Sequence, residues 1–456
     1  MKNILFAAQY FPPCGGPAVQ RAAKFAKYLP QFDYNPLVLT LAEEQIDRVR
    51  DNSLQDDVKA TEVYRCRSEQ RLIVDWSRKL RLHRVLSFLV RPDRYALTWV
   101  PSARRMGQRI ATERAVDAVY TCVGPFSGVL LGHQLKKRLG VPWVVDYRDP
   151  WVDNTAAIWP TRLHYWYERH QERRALEAAD AIVVVTPTMK EVLAARYPQC
   201  ADKIHVIYNG FDQQDLPDLR DSRPGNRLHI GFAGTLMEYD SKPGGAQYGR
   251  LADAWLSLFG YRHGPKDPRT KSPYFLLHAV RALIDQHPAL KNRIALSFAG
   301  SFGEKNRELV RQLGLENVVS IRGYLSHAEA IQLLADSDVL FLPMSTEPNG
   351  RRSYNMSGKI FEYAATRKPI IATVPAGDLH DWIQRARVGW CVDPCDVRGI
   401  KNLLVGLIDK KEAGTLCTDP DIEFIQGFER LELTRQLASL FDSLLNKERE
   451  VLVKAA

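Results

Sequence analysis

The sequence predicts an α/β protein of two tandem domains, each a doubly wound parallel sheet, facing each other across a cleft. Three observations carry this. A chain of 456 residues exceeds one ordinary core at roughly 100 to 200 residues per domain. Short apolar runs alternate with helical patterns along its length, the rhythm of parallel strands joined by crossover helices. That rhythm breaks once, at the polar Pro/Gly/Asp stretch around 216–227, and then starts again.

Taken in order, the first set of strand-like runs is "NILFAAQY" (3–10), "NPLVLTL" (35–41), "AVDAVYTCV" (115–123), "PWVVDYR" (142–148), "AIVVVTP" (181–187) and "KIHVIYNG" (203–210). The second is "LHIGFAG" (228–234), "IALSFAG" (294–300), "VVSIRGY" (318–324), "VLFLPM" (339–344), "PIIATVP" (369–375) and "GWCVDP" (389–394). The chain therefore reads as two Rossmann-like domains, 1–222 and 223–422. The second carries an insertion at 237–272, and a helix over 423–456 has no strand after it and is free to dock on either domain. Within the insertion, Leu251, Trp255, Leu258 and Phe259 recur at helical spacing and predict an amphipathic helix. Open α/β sheets bind ligands beyond the carboxyl ends of their strands, so function is expected there.

Composition narrows the class. Hydrophobic content of 45 % beside 25 % charge is ordinary for a globular protein. No run of about 18 uncharged apolar residues is present to span a bilayer. The N-terminal apolar run reads as a strand without a cleavage site, which predicts a cytoplasmic protein, peripheral on the inner face of the membrane if it binds one. Seven scattered cysteines read as reduced thiols, and the pair in "CVDPC" lacks partners at zinc spacing. The net charge of +10 is concentrated: 71–114 holds eleven Lys or Arg against Asp75, Asp93 and Glu113. Trp76, Leu80, Phe88, Leu89, Tyr95 and Trp99 lie among these cations. Two readings stand level, an amphipathic surface for anionic lipid and a solvated helix face. No groove-reading motif points to nucleic acid.

Four strand-to-helix junctions carry glycine, where amides at a helix start favour anions: "YFPPCGGPAVQR", "GFAGTL", "FAGSFG" and "NMSGK". After Ser357 a helix places Lys359, Glu362 and Thr366 on one face, with Ile360, Phe361, Ala364 and Ala365 opposite. A lysine in the first turn opposes the helix dipole unless an anion binds there. A buried carboxylate one turn on needs donors, such as a vicinal diol. The plainer alternative is an ion pair between the two at i, i+3. "DSD" at 336–338 joins "AIQLLA" to "VLFLP" and reads as a helix end and strand start, so no metal site is expected.

The stretch "SGKIFEYAATRKPIIATVP" resembles the donor-binding element of retaining GT-B glycosyltransferases of family 4. Further similarity runs through "PPCGGPAVQR", "GPFSGVLLGHQLKKRLGVPWVVDYRDPW", "KIHVIYNGFD", "GFAGTL", "FAGSFG" and "NVVSIRGYLSHAEAIQLLADSDVLFLP" in this order. The resemblance implies a nucleoside-diphosphate sugar as donor, no other cofactor, and a glycan or lipid-linked glycan as acceptor. It implies that Gly15 and Gly16 approach the diphosphate from the first domain, while Gly234, Thr235, Gly300, Ser357, Gly358 and Lys359 grip it from the second. Glu362 would hold the ribose, the backbone of Tyr324 would meet the base, and Arg148 or Asp149 would lie beside the sugar. Such enzymes commonly carry a second glutamate eight positions before the first, where this chain has Tyr354. They also carry an Arg and a Lys soon after "GT", where this chain has its insertion. The rivals are a nucleotide-sugar epimerase of similar architecture and a catalytically silent sugar-nucleotide-binding protein. A dinucleotide oxidoreductase fits poorly, since the first glycine turn is not GxGxxG and "PLVLT" ends without an acidic residue.

Overall fold

The structure is a computed structural model that describes all residues except 47–49, 69–90, 94, 156, 217–224, 242–249, 265 and 456. It divides into two compact units: Met1–Asn209 with Ala246–His263 and Arg430–Ala456, and Gly210–Gly245 with Gly264–Glu429.

The first unit holds a seven-stranded parallel sheet in the order β3-β2-β1-β4-β5-β6-β7. Its strands are β1 (Lys2–Ala8), β2 (Tyr34–Leu41), β3 (Glu62–Cys66), β4 (Ala118–Val123), β5 (Trp143–Tyr147), β6 (Ala181–Val184) and β7 (Ile204–Val206). Helices α1 (Pro17–Tyr28), α2 (Val100–Glu113), α3 (Ser127–Leu139), α4 (Arg162–Ala178) and α5 (Pro187–Arg196) are its crossovers. The central strands are buried on both faces, as helices on both sides of a parallel sheet require. The insertion is divided: its helix α6 (Arg250–Phe259) belongs to this unit.

The second unit repeats the plan with six strands in the order β10-β9-β8-β11-β12-β13. These are β8 (Leu228–Thr235), β9 (Ile294–Ser301), β10 (Val319–Gly323), β11 (Val339–Pro343), β12 (Ile370–Thr373) and β13 (Gly389–Val392). Its helices are α7 (Tyr274–Gln286), α8 (Glu304–Gln312), α9 (His327–Ala335), α10 (Lys359–Ala365), α11 (Asp378–Ala386) and α12 (Val397–Glu412). A capping box between Ser326 and Glu329 starts α9. The terminal helix α13 (Arg430–Ala455) packs in the first unit. There Leu433, Leu437 and Phe441 enter the core, and the Tyr34 hydroxyl donates to Asp442 at 2.6 Å.

Both sheets therefore reverse strand order between their first and fourth strands, β1/β4 and β8/β11. The carboxyl ends of such a pair form the crevice where doubly wound sheets bind ligands.

Of the cationic segment, 71–90 and Arg94 lie outside the described residues. In the remainder, Tyr95 and Trp99 are core side chains, 4 % and 1 % exposed. Arg91 pairs with buried Glu168, and Asp93 accepts the Ser127 amide at 2.9 Å. Tyr95 and Trp99 are thus part of the core, and Arg105 and Arg109 on α2 are exposed.

Candidate functional site

In the first unit, β1 runs into a loop ending at Gly15, which is buried, and Gly16, which is exposed with φ +107°. One turn into α1, Arg21 makes a fork with Asp146 on β5, at 2.7 Å and 3.1 Å. The same guanidinium donates to the carbonyls of Ile207 at 3.0 Å and Tyr208 at 2.7 Å. The Tyr120 hydroxyl donates to Asp146 as well. Both side chains of the pair are fully buried; desolvation alone would lower the Arg21 pKa, but the charge and hydrogen bond of Asp146 together with Tyr120 and Cys122 more than offset it and leave it raised. This satisfied network ties the glycine loop to β5. The arginine of "GGPAVQR" and the first aspartate of "DYRDPW" are thereby structural.

Beyond β5, Arg148 and Asp149 pair with one another at 3.3 Å, the carboxylate 56 % exposed. A side chain at Gly124, after β4, would lie 3.3 Å from the Arg148 guanidinium, so glycine there leaves the arginine its place over the β4 turn. Gln9, buried at the end of β1, has an amide group without a hydrogen-bond partner among the described residues.

In the second unit, β8 and β9 end side by side, Gly234 paired with Gly300. Both take positive φ, +139° and +101°. A Cβ on Gly300 would stand 2.9 Å from the Gly234 carbonyl carbon, and one on Gly234 would stand 2.5 Å from the Lys359 ammonium. The lysine therefore lies directly over the Gly234 turn, 5.9 Å from the Phe232 ring centroid. Burial pushes its pKa below the usual ammonium range, with Glu362 pulling it back. Helix α10 is held by its opposite face. Ile360, Phe361, Tyr363 and Ala364 are buried, Phe361 stacks on Phe428 at 5.3 Å, and the Tyr363 hydroxyl accepts the Ala233 amide at 3.4 Å. Lys359 and Glu362 are half-buried at its edge, but Thr366 departs from the expected face: it is buried at the helix end, its hydroxyl donating to the Tyr363 carbonyl at 2.6 Å. Ser357 is half-buried, Gly358 and Thr235 exposed. Tyr324, 74 % exposed, follows β10 at the sheet edge.

One functional candidate escaped the sequence reading. Glu347 follows β11, on the other side of the strand-order reversal from Gly234, and is 6 % exposed. Its Oε1 receives Lys266 at 3.2 Å, Ser353 at 3.4 Å and the Asn355 amide. Its Oε2 has no partner among the described residues. An acid directly after an apolar strand, in "VLFLPMSTEP", was the available signal. The chain returns from the insertion at Lys271, whose carbonyl accepts the Met237 amide at 3.0 Å. That brings the backbone of Lys271 beside Met237, two residues after the "GT" turn. In "DSD", Asp338 accepts the His229 amide at 2.9 Å and pairs with Lys411, while Ser337 donates to Leu333 at 2.8 Å. These contacts close the end of α9 and tie the start of β11 to β8 and α12.

Two family models match, Glycosyltransferase Family 4 over residues 18–215 and Glycosyl transferases group 1 over residues 263–410, between them more than half of the chain. A curated relative, the putative colanic acid biosynthesis glycosyltransferase WcaL of Salmonella typhimurium, is 27 % identical over 179 residues, 38 % of this chain and 42 % of that protein. The match thus spans less than half of the relative's length. Among solved structures, sucrose-phosphate synthase from Thermosynechococcus elongatus superposes with a TM-score of 0.65 at 15 % identity, over 98 % of this chain and 100 % of the other. HepE from Anabaena in complex with UDP gives 0.60 at 17 %, over 97 % and 100 %. With two parallel sheets of reversed strand order and both family models in sequence, the chain belongs to the GT-B glycosyltransferases of the family 4 type.

Proposed function

We propose that the protein transfers a sugar from a nucleoside-diphosphate donor to an acceptor hydroxyl, with retention of anomeric configuration and without a metal, in glycan assembly. One observation supports this most: a half-buried lysine held over a positive-φ glycine turn, next to Glu362, at the carboxyl end of the second sheet. Burying an ammonium there is costly until an anion joins it.

In this reading the diphosphate lies on Gly234, Thr235, Gly300 and the Ser357–Gly358–Lys359 turn, with Lys271 as the second cation. Glu362 accepts from the ribose hydroxyls, and the backbone at Tyr324 meets the base. The buried, half-satisfied Glu347 accepts from a hydroxyl of the donor and supplies a carboxylate that Tyr354 does not. Gly15 and Gly16 of the first unit are assigned to the donor diphosphate, and Arg148 or Asp149 to the transferred sugar. As the bond from the anomeric carbon to the diphosphate breaks, Lys359 stabilises the charge gathering on the leaving oxygens. The acceptor oxygen bonds to the same carbon and its proton passes to the leaving phosphate. UDP-sugars are the first donors to test, since HepE was solved with UDP; the acceptor is a glycan or lipid-linked glycan, by analogy with colanic acid assembly.

The test is product analysis with a panel of UDP-, GDP- and ADP-sugars and glycan acceptors. Free nucleoside diphosphate and a glycoside of unchanged anomeric configuration are expected with one donor. A changed sugar still joined to its nucleotide would identify an epimerase, and no turnover of any donor would leave a binding protein.

A further inference from the structure

We propose that the outer faces of α4 and α6 form one membrane-contacting surface that seats the first unit on anionic lipid. Eleven large apolar side chains are exposed among the described residues, and six of them fall in two triplets on these helices. On α4 they are Leu163, Trp166 and Tyr167, 79 %, 56 % and 53 % exposed. On α6 they are Trp255, Leu258 and Phe259, at 45 %, 77 % and 54 %. Each triplet is spaced i, i+3, i+4, a single helical stripe.

The two stripes share one side of the same unit. The Trp255 indole donates to the Pro160 carbonyl, 3.0 Å away and just before α4 begins. After α6, Tyr261 bridges Trp159 with two backbone bonds of 2.9 Å and 3.0 Å. Its ring packs on Tyr165 at 4.5 Å, and His263 bonds the Val152 carbonyl at 2.6 Å. An insertion anchored this firmly by its polar groups, yet holding its apolar stripe outward, is not a helix packed for its own burial.

Charge selects the occupant. Along α4 the stripe continues into exposed His170, Arg173 and Arg174. Two of the helix's three acids turn inward: Glu168 accepts the Trp151 indole at 2.6 Å, and Glu172 accepts the Tyr197 hydroxyl at 2.8 Å. The third, Glu177, is tied to Arg173 at 2.8 Å. Arg169 stacks over Trp166 at 5.0 Å and Arg162 over Tyr261 at 5.8 Å. Aromatic and leucine side chains bordered by arginines suit an interface of acyl chains and anionic headgroups. A second copy docking face to face would set arginine against arginine. The proposal does not depend on the sugar-transfer reading.

The experiment is co-sedimentation of the full chain with vesicles of phosphatidylcholine and of a phosphatidylcholine–phosphatidylglycerol mixture, at low and high salt. The protein is expected to pellet with the anionic vesicles, less so at high salt. Leu163→Ser with Trp166→Ser, and separately Leu258→Ser with Phe259→Ser, should each weaken partitioning by on the order of tenfold. Melting should be unchanged, because these side chains are already exposed. Protein that stays in the supernatant with anionic vesicles, or binding that both variants leave intact, would overturn the proposal. So would sedimentation equilibrium showing a dimer that the Leu258→Ser/Phe259→Ser variant abolishes, which would make the surface a contact between copies.

Discussion

Alanine at Gly234 and at Gly300 should separate a functional glycine from a structural one. Both residues sit at positive φ, where alanine costs about 1–3 kcal/mol. The new methyl groups meet different neighbours. At Gly300 it strikes the Gly234 carbonyl group, backbone within a paired strand end that has no free torsion to yield, adding about 1–3 kcal/mol of overpacking. At Gly234 it strikes the tip of Lys359, a flexible side chain that swings aside at little cost to folding but leaves the turn. Calorimetric melting should therefore show Gly300→Ala less stable than Gly234→Ala by about 1–3 kcal/mol, roughly 3–9 °C for a domain of this size. UDP titration should show Gly234→Ala binding on the order of tenfold more weakly, the worth of one charge-assisted contact. Because that loss acts through the lysine, Lys359→Ala should cost about the same, and the double variant little more. Additive losses in the double variant, or equal melting of the two alanine variants, would refute the reasoning.

Three further outcomes follow from the buried polar groups. Desolvation pushes the Glu172 carboxyl up to about 8 from 4.5, so the folded state holds a proton that the unfolded chain releases. Its contribution is fully present below pH 4.5 and lost as pH rises through about 8, at up to about 1.4 kcal/mol for each pH unit between; denaturant melts at several pH values should show that slope flattened in Glu172→Gln. Arg21→Met strands the Asp146 carboxylate and should destabilise the first unit by about 3–5 kcal/mol, while Arg21→Met with Asp146→Leu recovers most of the loss in urea melts. Glu347→Gln should lower donor turnover without lowering Tm, because an amide still accepts from Lys266 but cannot serve as an anionic acceptor to a donor hydroxyl; unchanged turnover would take Glu347 out of the site.

Much of the architecture was legible because parallel strands buried on both faces must be written as apolar runs. Each predicted run corresponds to an observed strand, β1, β2 and β4–β13. β3 was not legible: it is an edge strand, half-buried over Glu62–Arg65, and the charges of Glu62 and Arg65 break its short apolar run. The insertion looked like a decoration of the second domain, since sequence adjacency says nothing of which sheet a long excursion packs on; the Trp159–Tyr261 bridge, set by residues about a hundred apart, decides it. In "DYRDPW" the eye falls on the Arg-Asp pair, whereas the buried fork uses Asp146, two residues before that pair. Lys359 and Glu362 stood out because their charges interrupt an apolar helix. Glu347 did not, because its burial depends on Lys266 and Asn355, which arrive from elsewhere in the chain.

The central claim is that Lys359, Gly234 and Glu362 hold a nucleoside diphosphate. Calorimetric titration of UDP, GDP and ADP into the wild type, Lys359→Ala and Glu362→Ala tests it directly. One nucleotide should bind the wild type, with affinity falling as pH rises through the lowered Lys359 pKa, because the neutral amine no longer pairs with phosphate. Lys359→Ala should bind more weakly and lose that pH dependence, and Glu362→Ala should bind more weakly yet keep it. Equal affinity in all three proteins, or no binding of any nucleotide to the wild type, would contradict the account.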